Sequence, residues 1–353
     1  MLTEKNRETK ENAAMAAEEE KGRAGHLDAA RGIGIILVLA GHMFPYGDPL
    51  SCSIFSFHVP LFFYLSGEVA ALKNPGIRPG RLLLPYLYAC LLGTAVTALL
   101  PWLRGSLSPA VRMVKDLYRA SPERLHVGPV WFLFCLFWVE LGFFLYRQAI
   151  ARAGERGALL CRTLPALLFA AGVTVVPRIA AYFPFGRMPL QADTAFAAFG
   201  TYAAGNLVGE KLARGRGPGG FFLDAAAAAG VLLAGRLNGW VNISLLRFGN
   251  PVLYLLLAAA GIRLSLRLGR LLEHSRWICF LGRNSLFIFA LHPLFNQGYY
   301  WLLSFGGYVY PGDLNYGQAA LGTAWSLAVR TAAAAIYRRA KQKRREEKKC
   351  VSL

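Results

Sequence analysis

The stretch Leu27-Asp28-Ala29-Ala30-Arg31-Gly32-Ile33-Gly34-Ile35-Ile36-Leu37-Val38-Leu39-Ala40-Gly41-His42 decides how the chain is read. Between Gly32 and Gly41 it is wholly apolar or glycine, yet it opens on Asp28 and Arg31 and closes on His42. As a helix it carries Arg31 and His42 within about 20° of one another, about 16 Å apart along the axis. Asp28 lies one turn before Arg31 and can pair with it. Ionisable groups on an apolar helix are costly in hydrocarbon and mark a candidate site by default. A snorkelling arginine and a hydrogen-bonded structural histidine explain the two residues singly; their common face favours a functional reading.

The rest of the chain has the same character. Of 353 residues, 55% are hydrophobic and 17% charged, with formal net charge +19 and mean hydropathy +0.37. A soluble domain carries about 25% charge. The hydrophobicity excludes a disordered chain, and so much Leu, Ala and Phe argues against a nucleic-acid binder, so no nucleic-acid partner is expected. Six cysteines are too few for a disulfide scaffold. Apolar segments fall at 27–46, 54–72, 82–101, 130–147, 158–176, 192–210, 220–235, 250–268, 277–303 and 315–337. The expected fold is all-α, a polytopic membrane helical bundle of about ten transmembrane helices in lipid. With the N-terminus inside, lysines and arginines in the tails and inner links outnumber those in the outer links roughly three to one, so both termini are expected to be cytoplasmic. The expected organisation is a polar cytoplasmic tail at 1–25 with no cleavable signal peptide, a membrane domain at 26–337 and a basic cytoplasmic tail at 338–353. The longest outer link predicts a short amphipathic helix from Pro109 to Arg119.

Other polar residues sit within the apolar segments. His58 lies near the start of the second segment, at a depth that can match His42. The two histidines have no third ligand at suitable spacing, so no metal is expected. Glu68, toward the inner end of that helix, is either a partner of Arg31, Lys73 or Arg81 or an acid of the site. Ser285 and His292 share a face of the ninth segment, which Asn296 continues, and helix packing explains them as well as chemistry does. The cysteines at 90, 135, 161 and 279 read as small hydrophobes.

These blocks resemble the acyltransferase 3 family of integral-membrane acyltransferases. The Arg31-to-His42 stretch is similar to the family's opening signature, and Phe57-His58-Val59-Pro60-Leu61-Phe62-Phe63-Tyr64-Leu65-Ser66-Gly67 to its second. Arg81…Pro85, Trp131-Phe132-Leu133 and Gly282-Arg283-Asn284-Ser285…His292 follow in order. Asn238-Gly239, then Gly249-Asn250…Gly261-Ile262, resembles the fucose 4-O-acetylase-like subgroup. Glu68 departs from the pattern, where an aromatic or apolar residue is usual.

The resemblance implies transfer of an acyl group, by default acetyl, from acyl-CoA to a hydroxyl of a sugar, polysaccharide or glycolipid at the envelope. It implies no bound cofactor, with acetyl-CoA as co-substrate, and a place in the cytoplasmic (inner) membrane of a bacterial cell. His42 is then the catalytic base or a covalent acyl carrier, with Arg31 and Asp28 beside it. His58, His292, Ser285 and Glu68 take second rank. Arg31, Arg78 and Arg81 are candidates for the CoA phosphates, and Asn238, Trp240 and Asn242 for the acceptor. The competing reading is a transporter or flippase for an envelope polysaccharide or lipid-linked sugar, although no inverted repeat is visible.

Overall fold

A computed structural model describes residues 25–73, 79–99, 110–121, 127–152, 155–213, 218–307 and 314–351. The described chain is helical throughout, and among these residues there is no β-strand, only one isolated bridge between Asn242 and Arg247. Helix α1 covers 25–41. It is followed by α2 (Pro49–Phe55), α3 (His58–Lys73), α4 (Pro79–Leu99), α5 (Ala110–Tyr118), α6 (Trp131–Arg152) and α7 (Glu155–Thr174). Then come α8 (Val176–Ala180), α9 (Ala192–Val208), α10 (Pro218–Leu232), α11 (Ala234–Asn238) and α12 (Pro251–Leu271). The chain closes with α13 (Arg276–Arg283), α14 (Ser285–Ser304) and α15 (Tyr316–Val351).

Each apolar segment carries a helix. Among the described residues, four stretches are long and apolar enough to cross a membrane: Pro49–Leu72, Gly128–Arg152, Pro251–Leu271 and Tyr316–Ala340. Two shorter apolar helices cover Arg162–Thr174 and Gly219–Leu232. Many large apolar side chains point outward, among them Leu84, Leu87, Leu91, Phe221 and Phe222. A soluble monomer rarely exposes contiguous apolar surface on this scale; lipid is the solvent that suits it. The amphipathic segment at 109–119 forms α5, as its pattern predicts.

Boundaries differ from the sequence reading where side chains intervene. The ninth segment is not one helix. It breaks at Asn284, between α13 and α14. The Asn284 amide donates to the Phe280 carbonyl at 2.6 Å, so the break does not strand that acceptor. The first segment leaves helical geometry after residue 41 and turns through Tyr46 into α2. The basic stretch after 337 continues α15 to Val351 without a break.

Close helix crossings set the architecture. A Cβ on Gly67 of α3 would collide with the Tyr202 carbonyl of α9, and one on Gly205 with the Tyr64 carbonyl. Small residues let membrane helices meet backbone to backbone, where dispersion replaces the hydrophobic drive that lipid removes. Around this crossing the main core joins Phe63, Tyr86, Leu133, Val139, Phe143 and Tyr202 from α3, α4, α6 and α9. Helix α1 runs through the middle of the bundle. Leu27 and Ala30 pack on Leu61, Leu65 and Leu266 of α3 and α12, while Ile35, Val38 and Leu39 pack on Leu281 and Ile288 of α13 and α14.

A buried polar hub holds the loops at one end. Arg187 grips Asp193 with Nε at 2.6 Å and Nη2 at 2.7 Å, and also donates to Thr194 and to the Ser244 carbonyl. Gln191 adds a bond to the Arg119 carbonyl at 2.8 Å. Asp193 is fully buried, and the shared donors satisfy its carboxylate. Four separate segments are thereby tied together: the end of α5, the 187–191 link, the start of α9 and the loop before α12.

Candidate active site

A cavity of about 410 Å³ runs beside α1 and is lined by α1, α3, α4, α6 and α14 together with the loop at 242–244. Asp28, Arg31, Arg81 and Arg283 stand at one end. His42 and His58 line it farther along, with Tyr46, Asn242 and Ser244. The wall between is apolar and includes Val38, Phe62, Phe132 and Phe289. The α1 face predicted from the Arg31-to-His42 spacing is therefore the face that lines the cavity.

The charged end is built by a close crossing. A Cβ on Gly282 would overlap the Asp28 carbonyl, and one on Gly32 the Ile278 carbonyl, so α1 and α13 touch main chain to main chain. This brings Arg283 to the Asp28 carboxylate at 3.9 Å. Arg31 reaches the Leu65 carbonyl at 3.5 Å and feels the charges of Asp28, Arg81 and Glu68. Arg81 in turn pairs with Glu140 of α6. Three guanidinium groups thus stand at this end, with Asp28 beside Arg283 and Glu140 paired with Arg81.

At the histidine end the rings interlock. His42 Nδ1 and the Tyr46 hydroxyl are 3.2 Å apart. His58 Nδ1 lies 2.9 Å from the Ile54 carbonyl. A carbonyl only accepts, so Nδ1 of His58 carries the proton and Nε2 keeps its lone pair. Phe55 stands between the two histidines, edge-on to both, with ring centroids 5.8 Å from His42 and 4.8 Å from His58. Trp240 packs on Tyr46 at 5.4 Å and on Phe55 at 5.9 Å.

Asp28, Arg31, His42, His58, Arg81, Asn242 and Ser285 all come together on this wall. Glu68 does not line it. It sits in a smaller pocket of about 180 Å³ with His26, Asn206 and Lys211, although its charge reaches Arg31. Asn238 is engaged in holding its loop: its amide donates to the Phe248 carbonyl at 2.9 Å and accepts from the Asn250 N–H at 2.7 Å. Trp240 joins the site through its ring contacts with Tyr46 and Phe55. Arg78 and the His292 side chain lie outside the described residues.

Several members of the site had no signal in the spacing. Arg283 reads in the sequence as one more charge in an apolar run, and only the glycine crossing carries it to Asp28. Phe55 and Tyr46 look like ordinary aromatics of an apolar chain, and Glu140 is a charge in an apolar helix whose partner the sequence does not give. Arg330 of α15 is buried, at 1% exposure. Its Nη2 donates to Asn296 Oδ1 at 2.6 Å, an acceptor shared with the Ser326 hydroxyl at 3.0 Å. The Arg330 charge reaches His42. A charge inside an apolar helix is itself the available signal; its direction was not legible.

The model of the acyltransferase 3 family, described as an acyltransferase domain, matches residues 25–337. No curated protein matches the chain, and no solved structure matches it.

Proposed function

The chain belongs to the acyltransferase 3 family, and on that premise we propose that it is an O-acyltransferase of the cytoplasmic membrane of a bacterial cell. It moves an acyl group, by default acetyl, from cytoplasmic acyl-CoA to a hydroxyl of a sugar, polysaccharide or glycolipid at the envelope. The observation that carries this reading is the single cavity with three arginines at one end and two histidines along it. CoA is polyanionic and needs guanidinium partners for its phosphates. Arg31, Arg81 and Arg283 supply them, with Arg78 as a further candidate from the link before α4. The slender pantetheine arm follows the apolar wall and presents its thioester at His42.

Chemistry at that point needs little else. His42 accepts the proton of the acceptor hydroxyl as its oxygen attacks the thioester carbonyl carbon. The C–S bond breaks, and the proton passes to the departing CoA sulfur. In the variant with a covalent intermediate, an imidazole nitrogen of His42 attacks the thioester carbonyl and the C–S bond breaks to release CoA thiolate; the acceptor oxygen then takes the acyl group as the C–N bond breaks, and its proton passes to the CoA sulfur. His58 presents its Nε2 lone pair to the same space, with Ser285 in reserve. Asn242 and Trp240, with Tyr46, suit a sugar: an amide for its hydroxyls and aromatic faces for its C–H surface. Asn238 supports the loop that carries them, and the fucose 4-O-acetylase-like subgroup is the nearest description of the acceptor class.

The same reading gives about ten membrane helices, a membrane domain over 26–337, and polar tails at 1–25 and 338–353 on the cytoplasmic side, where the excess of Lys and Arg belongs. No resident cofactor is needed.

The experiment is direct. Purified protein with labelled acetyl-CoA and envelope glycans should yield an O-acetylated glycan, and His42→Ala should abolish most of the yield. Transfer at the normal rate by that variant would remove His42 from the chemistry. A cavity reaching from charged groups to an outer loop also suits passage of an envelope sugar, the transporter or flippase reading. Sugar flux into liposomes with no CoA donor present would favour that reading instead.

A further inference from the structure

The proposed reaction leaves open what limits the acyl group. We propose that Phe55 is the specificity-determining residue that restricts the donor to short acyl chains, because its ring stands in the cavity wall between the two histidines, in edge contact with both. This rests on the acyl-CoA reading above.

The direction of the donor follows from the charges. If the phosphates sit at Arg31, Arg81 and Arg283, the arm enters from that end and the acyl chain points away from it. On the way it passes a collar of rings from three helices. Phe132 of α6 lies 6.2 Å from Phe62 of α3 and 5.6 Å from Phe289 of α14, and all three line the cavity. Phe62 is one turn along α3 from His58, while Phe55 is about one turn in the other direction. The space flanked by the histidines thus has the collar on its arginine side and the Phe55 ring in the wall between His42 and His58. The distance between Phe55 and Phe62 is roughly two helical turns, on the order of 10 Å before ring thickness is taken off. A thioester and a two-carbon acyl group occupy such a space. A six-carbon chain runs into the Phe55 ring.

Phe55 is packed on several sides. Its ring is held edge-on by His42 and His58 and flanked by Tyr46 at 5.7 Å and Trp240 at 5.9 Å. It lies against the α1 backbone at Gly41, where an added Cβ would stand 3.2 Å from Phe55 Cε2. Behind it, α2 is anchored. Asp48 caps the helix through the Leu50 N–H at 2.9 Å, and Ser53 and Ser56 each donate to a backbone carbonyl of the same turn. A ring in contact with four aromatic neighbours is held in place by them, and dense packing turns a surplus of methylenes into strain.

The test uses calorimetry on the full-length, detergent-solubilised protein with CoA, acetyl-CoA and hexanoyl-CoA as probes. Wild type should bind hexanoyl-CoA at least about tenfold more weakly than acetyl-CoA. Phe55→Ala should narrow that ratio to within about threefold while leaving CoA affinity near its original value. Phe55→Leu, which keeps more of the packing, should fall between the two, and a thermal melt of each variant reports folding. Equal affinity of wild type for the two acyl-CoAs overturns the proposal, as does an unchanged ratio in both variants. Failure of wild type to bind CoA and acetyl-CoA at all is a different result. It removes the acyl-CoA donor reading itself, and this inference with it.

Discussion

Gly282 of α13 rests on the carbonyl oxygen of Asp28 of α1 so closely that no side-chain carbon fits between them. That contact joins two helices far apart in sequence and brings Arg283 to the Asp28 carboxylate. Gly282→Ala must separate the backbones. Overpacking against main chain that cannot yield costs about 1–3 kcal/mol or more. The expected result is a lowered melting temperature in detergent and weakened CoA binding. Gly298→Ala in α14 is the control: a Cβ there meets nothing within 4 Å, so its effect should be neutral to slightly stabilising.

The arginine mouth predicts a salt-sensitive donor affinity. Arg31→Met and Arg283→Met should each raise the Kd for acetyl-CoA, and the remaining affinity should depend less on ionic strength, as expected when a charge facing phosphate is removed. Titrations at two salt concentrations measure both. Loss of affinity with an unchanged salt dependence would place the arginines away from the phosphates.

His42 predicts a split between binding and transfer. His42→Ala should lower the transfer rate by roughly 10²–10⁴-fold while acetyl-CoA affinity stays close to wild type, because the site proposed for the phosphates is at the other end of the cavity. Rate and Kd measured on the same preparation decide this. A variant that loses both equally has lost its fold or its donor site.

The Arg187–Asp193 hub predicts a stability effect away from the chemistry. Asp193→Ala leaves a buried guanidinium without its carboxylate, at a cost of about 3–5 kcal/mol. The loop at 242–247 is tied to this arginine through the Ser244 carbonyl and should loosen. Hydrogen exchange of its amides, beside a thermal melt, should show faster exchange there than in α3.

Asn296 predicts strain around Arg330. Its Oδ1 accepts from both Arg330 and Ser326. Asn296→Ala removes a shared acceptor from a buried cation, a loss of about 1–3 kcal/mol, with charged groups at the upper end. Asn296→Asp keeps the acceptor and should retain stability much better. Thermal unfolding of the pair of variants separates a role in holding Arg330 from simple packing.

Much of the architecture was visible before any coordinates. Runs of apolar residues must become helices in lipid, because every backbone N–H and C=O there needs an internal partner. The α5 segment followed from its amphipathic pattern, and the shared face of Arg31 and His42 followed from helical geometry alone. The break at Asn284 did not: Gly282-Arg283-Asn284-Ser285 interrupts a segment otherwise long and apolar enough for one helix, and the chain turns where Gly282 meets Asp28. Glu68 had three candidate cationic partners, Arg31, Lys73 and Arg81, and the fold turned it into a separate pocket with His26 and Lys211.

The sequence by itself determined the class of molecule, an apolar helical chain with a few expensive polar residues, and the axial order of Asp28, Arg31 and His42 on one helix. Periodicity is local, so one helix suffices to display it. Only the tertiary structure decided which polar residues face one another: Arg283 with Asp28, Arg81 with Glu140, Arg330 with Asn296, and Phe55 between His42 and His58. Those pairings depend on where helices cross. The crossings are set by the fit of glycine surfaces against distant backbone, which no short window of sequence contains.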